Sequence, residues 1–349
     1  TIAIPPLSIE ERRNLWHRLV PVSSTWPEDA FETLVKRHQV NIGQIATIAE
    51  TGPETVDEAN AMLREASRHR LGNLAQLLEC PFDWEDLIIP DWMRLNLEDF
   101  IFEARERSEF WEYDEARRLF PQGRGLIALF TGSPGTGKTM ASQVIAADIG
   151  LDLFRIDLSS VVSKYVGETS KNLERILSRG AQMNAVLLFD ECDALFGKRT
   201  DIKDAHDRFA NTDTNYLLQA IESYPGVAIL ASNKKETIDS GFPRRRRYVL
   251  KFPKPDARQR LTIWSRLIGE LAGEGRLKTL TAELSRLSES VELTGAQIKF
   301  AVLSALFVAR REKNALAMPH LLRGLEQELM KEGRGISRRV HDMMIGREE

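Results

Sequence analysis

Residues 132–139 read Gly132-Ser133-Pro134-Gly135-Thr136-Gly137-Lys138-Thr139 and match G-x-x-x-x-G-K-[ST], the pattern of a loop that binds phosphate groups. Glycines in such a loop let backbone N–H groups turn inward around phosphate oxygens. Lys138 would bring a positive charge to the β- and γ-phosphates, and Thr139 would offer its hydroxyl to magnesium. The helix that begins here, with Met140 in its first turn, adds a partial positive charge. The complete match favours this interpretation over a glycine-rich turn without a ligand.

The stretches around this loop alternate between short apolar runs and helical patterns. Five buried strands that alternate with helices imply a mostly parallel sheet covered on both faces. The sequence therefore predicts an α/β fold, a P-loop NTPase core with a five-stranded parallel sheet. The predicted strands are Leu126–Thr131, Asp152–Asp157, Val186–Asp190, Val227–Ala231 and Tyr248–Phe252, with helices at 138–150, 169–183 and 206–223.

One of these strands ends in two carboxylates, Asp190 and Glu191. The end of a strand beside the phosphate loop is where such a sheet carries its chemistry. We expect Asp190 to hold magnesium through its water shell and Glu191 to act as general base on the attacking water. Asn233 follows the next strand, where its amide can orient that water. The alternatives are a helix N-cap for the carboxylates and a turn for the asparagine. Cys192 is expected to be a packed small residue.

Helical patterns dominate both ends of the chain. Residues 1–79 read as all helix, and their last element is one long helix from Asp57 to Glu79 that Pro81 ends. From Asp256 onward the chain is helical again. We therefore predict an N-terminal all-helical domain (1–80), an α/β nucleotide-binding core (81–255), and a C-terminal helical lid with a tail (256–349).

The two helical parts resemble each other. Arg12 and Trp16 have the same spacing as Arg260 and Trp264, with apolar residues at matching positions around them. Further along, Gly43-Gln44-Ile45 resembles Gly295-Ala296-Gln297-Ile298. An internal repeat of one helical unit is the simplest account. Chance similarity between two amphipathic segments is the alternative.

The composition limits the partners and the compartment. The 349-residue chain has a formal net charge of −3 and a pI of about 6.2, so nucleic acid is not its default partner. Its two cysteines suit a reducing compartment, and its apolar runs are far too short to span a bilayer. We therefore expect a cytoplasmic protein with no membrane partner and no signal peptide. Because the sequence starts with Thr1, we expect the native protein to be longer.

The phosphate loop, the Asp190-Glu191 pair and Asn233, in this order and spacing, resemble the AAA ATPases. Residues 164–169 read Lys164-Tyr165-Val166-Gly167-Glu168-Thr169 and resemble the first pore loop of the branch that includes katanin and spastin. The resemblance extends over residues 84–335. It implies that Tyr165, with Lys164 and Val166 beside it, projects into a central channel and grips an extended polypeptide. An ordinary surface aromatic is the alternative. Residues 197–208 would be a second pore loop or a solvated segment.

Arg244 and Arg245 resemble the arginine fingers of this branch, which act on the nucleotide of the neighbouring subunit. They imply a homo-oligomer, and in this branch a hexamer. The four-arginine run that they begin has a nucleic-acid patch as its alternative, although no wider basic surface supports it. Arg247 would serve the subunit interface or pair with acidic neighbours. Pro243 departs from the branch, which usually has another arginine there.

The resemblance also implies contacts around the nucleotide. Gly295 and Ala296 match the small-residue turn that lets the lid approach it, and Asp86-Leu87-Ile88 is expected near adenine. The implied cofactors are ATP and Mg²⁺.

The implied function is an ATP-hydrolysing protein remodeller that threads or disassembles a protein substrate. One alternative is a chaperone-like assembly switch that binds a partner without threading, and another is a DNA-directed machine. Residues 1–79 resemble the lid of a preceding AAA module. They imply an upstream degenerate module, similar to bacterial tandem AAA ATPases associated with contractile injection systems.

Overall fold

The computed structural model of the protein describes residues 7–38, 40–71, 74–111, 113–120, 125–158, 168–192, 219–233 and 247–336. Several predicted functional residues lie outside these ranges, and their roles stay predictions. They are Lys164, Tyr165, Val166, the segment 197–208, Pro243, Arg244 and Arg245.

Nineteen helices and strands, counted within the described ranges, follow one another along the chain. The first six elements are α1 (Ile9–Leu19), a 3₁₀ helix (Pro21–Thr25), α2 (Glu28–Arg37), α3 (Ile42–Thr51), α4 (Val56–Leu71) and β1 (Gln76–Leu78). The central elements are α5 (Asp91–Phe110), α6 (Asp114–Leu119), β2 (Leu126–Thr131), α7 (Lys138–Ile149), β3 (Leu153–Asp157), α8 (Glu168–Met183), β4 (Val186–Asp190), β5 (Val227–Ser232) and β6 (Tyr248–Lys251). The last four are α9 (Ala257–Ala272), α10 (Glu274–Ser290), α11 (Gly295–Arg311) and α12 (Met318–Met330).

Six strands form one sheet in the order β1-β3-β4-β5-β2-β6. The β3, β4 and β5 strands run parallel, with Asp157 opposite Asp190 and Phe189 opposite Leu230. Every residue of β2 and β5 is buried, as expected for parallel strands covered on both faces. The α/β fold and all five predicted strands are confirmed. Of the predicted helix 206–223, residues 219–222 are described, and they are helical.

The long helix predicted from Asp57 to Glu79 is wrong in its last third. The α4 helix ends at Leu71, and Gln76–Leu78 instead form β1, which pairs antiparallel with β3. Leu74 and Leu77 pack against the core of the sheet, and burial of their apolar surface stabilises an added strand beside β3. The sheet therefore has six strands and not five, and the added strand β1 runs antiparallel to its neighbour β3.

The chain divides into two compact units, each with its own core. One comprises Thr1–Asp83, Asn96–Phe130 and Ala141–Leu250, and its described part contains the N-terminal helices and most of the sheet. The other comprises Trp84–Leu95, Thr131–Met140 and Lys251–Glu349, and its described part contains the phosphate loop and the C-terminal helices. The domain boundaries at 80 and 255 stay a prediction. Among the described helices, none has the length and apolar character needed to cross a bilayer.

The N-terminal and C-terminal helical regions each contain a buried arginine that donates hydrogen bonds to backbone carbonyl oxygens. Arg12 donates from Nε and Nη1 to two backbone carbonyl oxygens, at 3.1 and 2.7 Å. Arg260 does the same at 2.9 and 2.5 Å. The acceptors are Val35 and Leu7 for the first arginine, and Ser288 and Pro255 for the second. One acceptor precedes its arginine by five residues in both regions, and the other follows it by 23 residues in the first region and 28 in the second.

Other features of the two regions repeat as well. Trp16 and Trp264 are both fully buried, one turn after their arginine. The α3 and α11 helices each begin with a capping box, formed by Asn41 and Gln44 in one and by Thr294 and Gln297 in the other. These boxes align Gln44 with Gln297, in agreement with the match that the sequence suggested, and they place Gly43 opposite Ala296. The shared contacts support the internal repeat. The origin of residues 1–79 as the lid of an upstream module stays a prediction.

We expect Arg12→Met to destabilise the N-terminal helices by about 2–4 kcal/mol, because two carbonyl oxygens lose a charged donor. Amide hydrogen exchange should then accelerate across residues 9–63 and stay unchanged across α9–α12. Arg260→Met should give the reverse pattern. Arg13→Met is the matched control, since Arg13 forms only exposed ion pairs with Glu28 and Glu32. Equal protection in Arg12→Met and Arg13→Met would contradict the structural role of the buried arginine.

Candidate active site

The phosphate loop is folded around the side chain of Lys138. This lysine begins α7 and is only 7% exposed, and its Nζ donates to the carbonyl oxygens of Gly132 and Ser133 at 2.7 and 3.0 Å. Thr136 closes the loop by donating from its hydroxyl to the carbonyl oxygen of Ser133 at 2.9 Å. The first backbone N–H groups of an α-helix lack intrahelical partners, and α7 begins at Lys138, inside the loop motif. The arrangement has the positive charge and the N–H donors that polyphosphate binding requires.

Two glycines of the loop could not carry a side chain. Gly135 has a left-handed backbone (φ 76°), and a Cβ there would lie 2.8 Å from Cβ of Ala296 and from Oγ1 of Thr294. A Cβ on Gly132 would lie 2.4 Å from the carbonyl oxygen of Phe252. Since real Cβ atoms essentially never approach other atoms this closely, the loop conformation depends on glycine at both positions.

The predicted lid turn contacts the loop directly. The backbone N–H of Ala296 donates to the carbonyl oxygen of Gly135 at 3.2 Å, and Gly295 lies at the same end of α11. A Cβ on Gly295 would lie 3.7 Å from the carbonyl oxygen of Gly135, an ordinary contact, so the approach does not itself require glycine at this position. The structure thus brings the predicted pair Gly295 and Ala296 to the phosphate loop, while their contact with a nucleotide stays a prediction.

The turn predicted near adenine also lies beside the loop. Leu87 is buried, and its Cδ1 is 3.7 Å from the position that a Cβ on Gly137 would take. Asp86 forms an ion pair with Arg266 of α9, with 2.9 Å between Oδ1 and Nη2. The turn therefore has a fixed place in the same unit as the phosphate loop.

The predicted catalytic groups of the other unit lie at the carboxyl ends of two neighbouring strands in the middle of the sheet. Asp190 ends β4, and Asn233 follows the neighbouring parallel strand β5. Glu191 has a left-handed backbone (φ 53°), which turns the chain so that its own N–H donates to Oδ1 of Asp190 at 3.0 Å. Such a conformation is uncommon outside glycine and is found where a site fixes it. Cys192 is fully buried and donates to the carbonyl oxygen of Phe189, as expected of a packed residue.

Sequence reasoning missed two further side chains near these strand ends. Arg155 on β3 forms an ion pair with Asp190, with 3.0 Å between Nη2 and Oδ2. Asp157, at the end of β3, stands opposite Asp190 in the register. The alternation of the predicted strand does place Arg155 and Asp157 on one face. Which residue of another strand they meet depends on a pairing that the local pattern does not contain.

The oxygen donors present suit magnesium held together with phosphates. Mg²⁺ is usually bound by one or two carboxylates, substrate phosphates and several waters, and it does not need a cage made of protein alone. Asp190 carries a carboxylate of this kind at the end of β4, and its role at the metal stays a prediction. Across the described residues, no group of three or more His, Cys, Asp or Glu side chains could hold a metal ion without such phosphates.

The last arginine of the four-arginine run pairs with an acidic neighbour. Arg247 forms an ion pair with Glu103, which also accepts a hydrogen bond from the hydroxyl of Tyr248 at 3.0 Å. Burial, and next the hydrogen bond to Glu103, raise the pKa of Tyr248 to about 12. Of the two expectations for Arg247, pairing within the chain is the one that the structure shows.

Comparison with known proteins agrees with this geometry. The model of the ATPase family associated with various cellular activities (AAA) matches residues 128–255. Those residues contain the phosphate loop, Asp190, Glu191 and Asn233. The match thus covers the part of the chain in which the sequence predicted the nucleotide chemistry.

Three relatives illustrate the similarity. The chain is 31% identical over 208 residues to an uncharacterised AAA family ATPase, y4kL, of Sinorhizobium fredii, which covers 57% of this chain and 62% of that protein. It is 29% identical over 191 residues to human Fidgetin-like protein 1, covering 52% of this chain and 27% of that protein. It is 27% identical over 208 residues to the proteasome-activating nucleotidase of Aeropyrum pernix, covering 57% of this chain and 50% of that protein.

The chain therefore spans less than two thirds of the length of each of these relatives. The predicted resemblance is nevertheless confirmed by the family match and by the relatives' names. Residues 128–255 are an AAA ATPase domain, similar over this stretch to the ATPase family associated with various cellular activities.

Proposed function

We propose that the chain hydrolyses ATP to ADP and phosphate with the help of Mg²⁺. The observation that carries this proposal is the phosphate loop, folded around a buried Lys138 within a matched AAA domain. In this proposal the loop (132–139) and Met140 hold the phosphates, and Thr139 and Asp190 hold the metal. Bound Mg²⁺ supplies positive charge to the phosphates during the transfer.

The remaining roles concern the attacking water and the lid. Glu191 takes the proton of the water, and Asn233 orients it. Both roles are supported by position, because Glu191 directly follows β4 and Asn233 directly follows the neighbouring parallel strand β5. Gly295 and Ala296 contact the nucleotide from the lid, a role that their approach to Gly135 supports.

We further propose that the protein remodels other proteins as a homo-oligomer, a hexameric ring in the cytoplasm. Its Arg244 and Arg245 would complete the site of the neighbouring subunit, and Lys164, Tyr165 and Val166 would grip the substrate in the channel. The similarity to a proteasome-activating nucleotidase supports a protein substrate, because the name of that relative refers to a protein-degrading partner. The composition, with two cysteines and no basic excess, supports the compartment and disfavours nucleic acid.

The test is stimulation of ATP turnover by an unfolded polypeptide, with casein as the probe. We expect turnover per subunit to rise with protein concentration and to rise further when casein is added. Tyr165→Ala should lose most of the stimulation, because the aromatic grip is gone. Tyr113→Ala is the matched control, since Tyr113 is an exposed tyrosine of the described surface.

The other outcomes distinguish the alternatives. Equal stimulation of the wild type and Tyr165→Ala would favour an assembly switch that binds partners without threading. Stimulation by DNA instead of casein, lost steeply as salt is raised, would favour a DNA-directed machine.

A further inference from the structure

Arg155 lies on the face of the sheet that carries the metal-binding carboxylate. In the parallel pair of β3 and β4, Arg155 is opposite Leu188, and Asp157 is opposite Asp190. Side chains two residues apart along a strand point to the same face, so Arg155, Asp157 and Asp190 share one face. Two carboxylates and one guanidinium thus stand together at the carboxyl edge of the sheet.

Both carboxylate oxygens of Asp190 already have partners. Oδ1 accepts the backbone N–H of Glu191, and Oδ2 lies 3.0 Å from Nη2 of Arg155. The side chain of Asp190 is 16% exposed and that of Arg155 is 41% exposed, so the pair is partly shielded from water on the carboxylate side. A guanidinium held in this way binds more strongly than a fully exposed one, because the surrounding dielectric is lower.

We propose that Arg155 competes with Mg²⁺ for Asp190 and so sets the magnesium concentration that nucleotide binding requires. The inference rests on the proposed function, since it takes Asp190 as the magnesium carboxylate. The water shell of Mg²⁺ needs the oxygen lone pairs that the guanidinium of Arg155 contacts. The positive charge of the guanidinium also repels the divalent ion. Nη2 of Arg155 must therefore move away from Oδ2 of Asp190 when the complex of Mg²⁺ and nucleotide binds.

A second carboxylate, that of Asp157, lies on the same face of the sheet as Arg155. Asp157 is two residues further along the same strand and on the same face, and it is exposed. A guanidinium on a flexible side chain that is 41% exposed can turn from one carboxylate to the other. Transfer of Arg155 to Asp157 would free Asp190 and keep the charge of the arginine compensated.

The test measures the midpoint of a Mg²⁺ titration, with the fluorescence of a mant-labelled, non-hydrolysable ATP analogue as the binding signal in the full chain. We expect Arg155→Gln to lower the midpoint by about two- to fivefold, the range that measured surface ion-pair energies correspond to. Arg105→Gln is the matched control, because Arg105 forms an ion pair with Asp148 of similar exposure (52% and 21%) away from Asp190. That variant should leave the midpoint where it is in the wild type.

A second variant tests the transfer. Asp157→Asn should raise the midpoint, because Arg155 loses its alternative partner. This rise should shrink when Asp157→Asn is combined with Arg155→Gln, since the arginine is then absent.

Three results would overturn the inference. A midpoint for Arg155→Gln equal to that of Arg105→Gln, or above that of the wild type, would show that Arg155 does not compete with the metal, and it would leave the proposed function intact. A shift by Asp157→Asn that is undiminished in the double variant would remove the transfer step. Absence of any Mg²⁺-dependent nucleotide signal in the wild type would overturn the proposed function together with the inference.

Discussion

Glu191→Gln is expected to lower ATP turnover by about 10²–10⁴-fold while ATP still binds, because general-base catalysis contributes on that scale. The glutamine has the same length and cannot take a proton from the attacking water. Glu191 touches Asp190 through its backbone N–H, so the substitution leaves that hydrogen bond in place. The carboxylate of Asp190 and the phosphate loop should therefore still hold the nucleotide.

Two measurements on the same preparation check this expectation. Phosphate release gives the turnover, and the fluorescence of mant-ATP gives the affinity. Glu174→Gln on α8 is the matched control, as an exposed glutamate of the same unit. Turnover in Glu191→Gln within a few-fold of the control would exclude Glu191 as the base. Loss of ATP binding would instead assign Glu191 a role in holding the nucleotide.

Arg244→Ala is expected to lower turnover by about 10³–10⁵-fold, the usual contribution of an arginine finger. The physical reason is that the guanidinium stabilises negative charge on the transferred phosphoryl group. Arg258→Ala, an exposed arginine of α9, serves as the control for loss of a surface charge. Turnover is measured at several protein concentrations, because a site shared between subunits works only in the oligomer.

A mixing experiment makes this prediction sharper. Each variant alone lacks one half of every shared site, so Glu191→Gln and Arg244→Ala should both be nearly inactive. In mixed oligomers, a subunit with intact Glu191 can stand next to one with intact Arg244, and turnover should partly return. If the mixture stays as inactive as its components while the subunits exchange, the arginine does not act across a subunit boundary.

Local sequence patterns predicted most of the sheet but not its edge. The buried strands β2, β4 and β5 are apolar runs bounded by turn signals, and such runs can be recognised as strands from the local sequence alone. The segment from Leu74 to Leu78 instead continued the apolar spacing of α4. The sequence does contain Gly72-Asn73, residue types that commonly end helices, directly before this segment. Pairing with β3, a long-range contact, decides the state of this segment.

Local sequence patterns likewise predicted one part of the candidate site and missed another. The phosphate loop is a contiguous motif, and its expected geometry around Lys138 is present in the structure. The ion pair of Arg155 with Asp190 joins residues on different strands, and only the register of β3 against β4 brings them together. The repeat marks Arg12 and Arg260 in the sequence, and the structure shows that both are buried. Arg155, in the middle of β3, is not part of that repeat.

The close approach of Gly135 to the first turn of α11 has a mechanical consequence. Atoms in such packed contacts cannot be compressed, so a displacement of the loop by a fraction of an ångström passes directly to Thr294 and Ala296. The helix that these residues begin has 17 residues, about 25 Å at 1.5 Å per residue, and it is stiff along its axis. We therefore expect a displacement of the phosphate loop to move α11 as a rigid element, so that Arg311 at its far end moves as well.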